Sequence, residues 1–140
     1  MPFAQGVRPL FVILNMQARY YTVEEANALL PSLRSIVKEL LDARQRIVDV
    51  QPELWPMLEK AIGNGGSQKA GAVLADFEKI QRAVKTIEAL GLHIKDVNTG
   101  LIDFLSERDG RKVYLCWRFD EPSVTHWHDI DAGFAGRQPL

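Results

Sequence analysis

Residues 92–140 gather the side chains best suited to chemistry: all three histidines (His93, His126, His128), the single cysteine (Cys116) and two of the three tryptophans (Trp117, Trp127). His126 and His128 flank Trp127. In an extended segment, residues two apart point to the same side, so both imidazoles face one way and Trp127 faces the other, into a core. Two neutral imidazoles on one face suit Zn²⁺, Fe²⁺ or Ni²⁺. A catalytic centre needs at least one further ligand and an open position. By type, Asp103, His93, Asp96 and Asp129 are the candidates. The expected metal set is therefore His126 and His128 with Asp103, and His93 at its margin, holding a divalent transition metal such as Zn or Fe. The plainer reading is that these histidines hydrogen-bond a backbone carbonyl or a carboxylate.

A second group is charged: Asp96, Asp103, Arg118, Glu121 and Arg137. An Asp- and Arg-bearing sheet face is either a structural ion-pair network or an anion site, where a guanidinium forks onto carboxylate or phosphate. Arg118, Asp96, Glu121 and Arg137 are the residues expected to hold such an anion. Gly133 and Gly136 flank Phe134 and either admit a ligand close to the backbone or form a turn that packs Phe134. Cys116 sits in mid-strand among aromatics and reads as a small hydrophobe rather than a nucleophile. The sequence has no Gly-rich phosphate loop after a strand, no Cys-x-x-Cys and no His-Glu-x-x-His.

The elements that must position these groups can be read from periodicity. Thr22-Val23-Glu24-Glu25 has the form of a capping box, with Tyr21 and Ala26 as a hydrophobic staple. Apolar residues then recur at Ala26, Leu29, Leu30, Leu33, Ile36, Val37, Leu40, Leu41, Ile47 and Val48. This is the spacing of one helical face running to about Val50, with Pro31 expected to kink it. Residues 51–56 should break the helix. A short helix over 57–62 follows, ended by the glycine-rich loop 63–66. Ser67 can cap a third helix, whose stripe is Ala70, Val73, Leu74, Phe77, Ile80, Val84, Ile87 and Leu90, with Gly91 as its stop. The two long helices predict an antiparallel hairpin whose stripes need cover from a sheet or from a second copy of the chain.

Beyond Gly91 the period becomes that of strands. Asp109-Gly110 between alternating runs, 101–107 and 112–119, is a strong hairpin signal. Counting outward from a two-residue loop, Phe104 faces Leu115, Ile102 faces Trp117 and Asp103 faces Cys116, with Arg118 as a diagonal partner of Asp103. Val113 and Phe119 join the apolar face.

Size and charge narrow the function classes. A chain of 140 residues with 46% hydrophobic and 25% charged residues makes one domain. Its net charge of -1 gives no overall field toward nucleic acid or an anionic membrane, and only Arg108, Arg111 and Lys112 form a local basic patch. A single cysteine forms no internal disulfide, which suggests a reducing, cytoplasmic setting. No membrane segment is expected, and the apolar run at 10–14 is too short for a signal-peptide core and has no small-residue cleavage pattern after it; it reads either as a short buried strand or as part of an extension. Residues 1–19 read as an N-terminal extension, with Met16 as the expected true start, and 20–140 as the domain: 20–91 helical, 92–140 β-rich.

Several stretches together resemble an uncharacterised prokaryotic family, domain of unknown function 2203. They are Tyr21-Thr22-Val23-Glu24-Glu25-Ala26-Asn27-Ala28-Leu29-Leu30-Pro31, Lys95-Asp96, Gly100-Leu101-Ile102-Asp103-Phe104, Leu115-Cys116-Trp117-Arg118, Trp127-His128 and the final Gly133-Phe134-Ala135-Gly136-Arg137-Gln138-Pro139-Leu140. The resemblance covers nearly everything from Tyr20 onward. It implies a small cytosolic protein of helices followed by a compact sheet, and it brings no established activity. Its motif positions here include Asp96, Asp103, Arg118 and His128. Where the family pattern has Gly-Glu after the arginine, this chain reads Asp120-Glu121.

The combined expectation is an α+β domain: a long antiparallel helical hairpin with a short connecting helix, followed by an antiparallel sheet of three strands or slightly more. It binds a transition metal or a small anion through the β-rich segment, with metal-assisted hydrolysis as the reaction class if it is an enzyme. The alternative is a non-enzymatic interaction module, self-associating through the helical stripes. Neither nucleic acid nor membrane is an expected partner.

Overall fold

The computed structural model describes residues 19–62 and 73–140. The expected N-terminal extension before residue 19, the glycine loop 63–66 and the Ser67 cap lie outside the described residues.

Helix α1, Val23–Val50, starts as its sequence dictates. The Thr22 side chain accepts from the Glu25 amide at 3.0 Å, and the Glu25 carboxylate accepts from the Thr22 amide at 2.9 Å. Tyr21 and Ala26 are both buried in one cluster, which is the staple. The helix carries Pro31 inside its span without a break. Pro31 is exposed, where water can take up the carbonyl it leaves unbonded. Its buried stripe is Ala26, Leu30, Leu33, Val37, Leu40, Ala43 and Ile47.

A 3₁₀ turn, Pro52–Leu54, leads into α2, Trp55–Ala61. The break expected over 51–56 is thus shorter than its two prolines suggest. Each proline sits in the first turn of its element, where the missing amide would have had no partner anyway. Helix α3, Leu74–Ala89, runs antiparallel to α1. Arg46, late in α1, pairs with Asp76, early in α3, at 2.9 Å, while the Tyr21 hydroxyl at the other end donates to the Leu90 carbonyl. Gly91, at φ 81°, ends α3 as a Schellman motif: its amide bonds Glu88 O at 2.9 Å, and the Leu92 amide bonds Ile87 O at 3.4 Å.

The sheet has five strands in the order β1-β2-β3-β4-β5, every neighbouring pair antiparallel. They are β1 His93–Asp96, β2 Leu101–Arg108, β3 Arg111–Arg118, β4 His126–Asp129 and β5 Gln138–Pro139. The loop between β2 and β3 is the two residues Asp109 (φ 53°) and Gly110 (φ 79°), the left-handed pair that a tight hairpin turn demands. That fixes the expected register: Phe104 opposes Leu115, Ile102 opposes Trp117 and Asp103 opposes Cys116.

Two apolar clusters cover the helical stripes from within the chain. Tyr21, Leu30, Leu33, Val37 and Ile87 pack on the inner face of the sheet, with Ile102, Phe104, Val113, Leu115, Trp117 and Trp127. Further along the hairpin, Leu40, Ala43, Ile47, Phe77, Ile80 and Val84 close on Trp55 and Leu58. Among the described residues no helix is long and apolar enough to cross a membrane.

Candidate metal centre on the outer face of the sheet

Because side chains alternate along a strand, the register that sends Ile102 and Trp117 inward sends their neighbours outward. One outer row is His93, Asp103, Cys116 and His126, each directly opposite the next across β1 to β4. The adjacent row holds Leu105, Tyr114 and His128. Three of these side chains are withdrawn from solvent although the helices lie on the other side: Asp103 is 1% exposed, Cys116 0% and His128 2%. One ligand atom from each of the three lies within 4.8 Å of the others.

His128 is held at both nitrogens. Nδ1 lies 2.9 Å from the Asp129 carbonyl and Nε2 lies 3.0 Å from Asp103 Oδ2. Carbonyl and carboxylate oxygens only accept here, so each contact is a hydrogen bond in the tautomer that puts the proton on that ring nitrogen. Asp103 Oδ1, by contrast, is buried with no hydrogen bond of ordinary geometry. Beside it, burial pushes the Cys116 thiol up from 9.0 to about 12. The negative charge of Asp103 adds to this, Arg137 opposes it, and a hydrogen bond from the thiol to the Asp103 carboxylate raises it further. The Tyr114 ring packs on His128 at 5.5 Å, His93 stands edge-on to Tyr114 at 5.6 Å, and the Lys95 ammonium lies 5.5 Å from the same ring. Together they screen the polar group.

The residues expected to hold a metal are therefore only partly assembled. Asp103 and His128 are joined directly. His126 shares their face but is half-buried, with Nδ1 at 2.9 Å from Thr125 Oγ1. His93, opposite Asp103, is spent on Tyr114, and neither His93 nor His126 belongs to the group that closes within 4.8 Å. The member missed from sequence is Cys116. Its signal was present, because the hairpin register sets it across from Asp103.

The charged set divides differently from expectation. Asp103 and Arg118 do not pair. Arg118 forks onto Asp120 instead, at 2.7 and 3.2 Å, because a carboxylate two residues along lies nearer than a diagonal one. That contact holds the Asp120 carboxyl below its ordinary value. Asp120 needs no glycine-like backbone, for the only non-glycine with positive φ among the described residues is Asp109. Glu121 and Arg137 pair at 2.8 Å. The same Arg137 nitrogen donates to Cys116 O at 3.2 Å, and Glu121 also accepts from the Arg118 amide at 2.8 Å. The Phe134 ring lies against both guanidiniums, 5.5 Å from Arg118 and 4.7 Å from Arg137. The final glycines thus form a turn, a short 3₁₀ segment at Phe134–Gly136, that clasps the sheet edge.

Asp96 lies apart from all of these. Its carboxylate accepts from the Asn98 amide at 2.8 Å and the Thr99 hydroxyl at 3.1 Å, which builds the β1–β2 turn. That turn presents Asn98, which the sequence reading overlooked. Its carboxamide oxygen accepts from Arg44 at 2.6 Å and Trp55 at 2.9 Å, and its nitrogen donates to Glu59 at 3.0 Å, tying the sheet to α1 and α2.

The chain belongs to the family described as "Uncharacterized conserved protein (DUF2203)", which matches residues 19–140. No curated protein and no solved structure matches it.

Proposed function

We propose that this member of an uncharacterised family binds one divalent transition metal, zinc first and iron second, between Asp103, Cys116 and His128. The observation that carries the reading is Asp103 Oδ1, a buried carboxylate oxygen with no hydrogen bond of ordinary geometry, in a group whose other members are an imidazole and a thiol that itself leans on the Asp103 carboxylate. An unpartnered buried acceptor costs about 1–3 kcal/mol or more. A divalent cation would satisfy it, draw the thiol into its thiolate form and replace the hydrogen bond between Nε2 and Oδ2. The mixed oxygen, sulfur and nitrogen donor set suits zinc. A tetrahedral ion needs its ligand atoms roughly 3.5 Å apart, so side-chain shifts of at most about 1 Å would close the group.

If a water completes the coordination, metal-assisted hydrolysis is the class to assay. A thiol ligand suits a reducing compartment, which supports a cytoplasmic location. The anion reading has weaker support, because Arg118 pairs with Asp120 and Arg137 with Glu121 within the chain, which leaves only Arg137 Nε buried without a partner. Self-association through the helical stripes is likewise the weaker reading, since those stripes are covered inside one chain. Nucleic acid is not an expected partner at a net charge of -1.

Elemental analysis of untagged protein, as purified and after incubation with Zn²⁺ or Fe²⁺, tests the reading beside Cys116→Ala. The expected result is close to one metal per chain in the wild type, lost in a variant with an unchanged far-UV spectrum. Equal metal content in both, or none in either, would sink it, and sedimentation of concentrated protein would then test the self-association reading.

A further inference from the structure

A fourth donor stands beside the group, turned away from it. His126 and Cys116 are directly opposed in the β3–β4 pair. Such residues carry their side chains on the same face, with Cβ atoms about 5 Å apart. The pleat agrees: His126 is two residues from His128, so both rings leave β4 on the outer side. The one side-chain hydrogen bond His126 makes is to the hydroxyl of its neighbour Thr125, at an exposed position. His93 is the competing donor, opposite Asp103. Its ring, however, packs on Tyr114, and it sits on an edge strand whose register shifts after Ile94.

The number of protein ligands separates the two uses of a zinc centre. Structural sites are closed by four, while catalytic sites keep three and leave a position for water or substrate. We infer that His126 swings from Thr125 onto the ion held by Asp103, Cys116 and His128, closing an Asp-Cys-His₂ centre with no water position. This rests on the metal reading above and sharpens it. The closed centre would fasten β2, β3 and β4 together on the face that the helices do not cover. It would also remove the coordination site that hydrolysis needs.

Cobalt titration of the untagged full chain distinguishes the two levels of inference. A thiolate–cobalt charge-transfer band in the near ultraviolet reports Cys116, and the positions of the visible ligand-field bands report the donor set, since exchanging an imidazole nitrogen for a water oxygen weakens the ligand field. The wild type is expected to show both signals, and Cys116→Ala to lose the first. His126→Ala should keep the charge-transfer band, shift the visible bands to longer wavelength as water takes the fourth position, and bind at least about tenfold more weakly, since even outer-shell partners of a metal site are worth that much. His93→Ala should match the wild type. His126 is half-buried at the surface, so its removal should leave the fold intact, which far-UV dichroism checks. Thr125→Val removes only the competing hydrogen bond and should tighten cobalt binding a few-fold. Wild-type band positions and affinity in His126→Ala, a loss in His93→Ala instead, or unchanged binding in Thr125→Val would overturn the assignment of His126 while leaving the three-residue site standing. Absence of both bands in the wild type would overturn the site and the inference together.

Discussion

The two faces of the sheet come from alternate residues of the same strands, and each has a dry patch, yet the two patches are made of different chemistry. Inward stand Ile102, Phe104, Leu115 and Trp117, all 2% exposed or less; outward, at the same level of burial, stand Asp103, Cys116 and His128. The inner face is stabilising by area alone, at about 25 cal/mol for each Å² of apolar surface removed from water. The outer face buries a carboxyl group, an imidazole and a thiol, with one carboxylate oxygen unpartnered, and such groups cost stability unless they are fully matched. Burial therefore marks a core on one side and a candidate site on the other. What tells them apart is whether the buried atoms can be satisfied within the chain.

The largest effects should come from breaking either face, with different signatures. Phe104→Ala should cost about 3–5 kcal/mol in urea unfolding through the cavity it leaves, with metal content per folded molecule unchanged. His128→Ala should cost a similar ~3–5 kcal/mol, because it strands Asp103 with neither oxygen partnered, and should abolish metal binding. Converting the outer face to a second apolar face, with Asp103→Leu and His128→Leu together, should recover most of that loss. A double variant no more stable than His128→Ala alone would show that the pair is itself stabilising.

A smaller effect comes from Cys116. Its thiol holds its proton to about 12 in the fold, against 9.0 ordinarily. The unfolded chain therefore ionises first as pH rises. The stabilising contribution is complete below pH 9 and is lost progressively towards pH 12. Wild type should lose more stability than Cys116→Ala over that window, measured by parallel denaturant titrations; parallel curves would refute the buried thiol. The smallest effect lies away from both faces. Thr22→Ala removes the cap of α1 and should cost about 1 kcal/mol, with no change in metal binding.

How much of this was legible depended on whether the signal was local. The capping box at Thr22 and the Asp109-Gly110 turn are short-range devices, and both stand as the sequence implied, register included. Strand β5 was not legible. Gln138–Pro139 is two residues long, and its pairing with β4 depends on where the chain returns rather than on any pattern of its own. Cys116 reads as a small hydrophobe because a lone cysteine among aromatics has the composition of a core, and it is fully buried. Only its register partner, Asp103, reveals the polar side it occupies. Arg118 was assigned by strand geometry, but Asp120 offered a closer fork. Asp96 carried a turn signal, an Asp two residues before Asn98, that was overlooked in favour of its charge.

The central claim, that Asp103, Cys116 and His128 are a metal centre, is tested most directly by counting protons while Zn²⁺ is added to untagged protein at pH 8 in weak buffer. Binding there must expel the Cys116 thiol proton, which burial holds to about 12. The account predicts at least about one proton released for each zinc bound, with Cys116→Ala losing the release along with the binding. Zinc uptake with no proton release, or equal uptake and release in Cys116→Ala, would place the metal elsewhere and contradict the account.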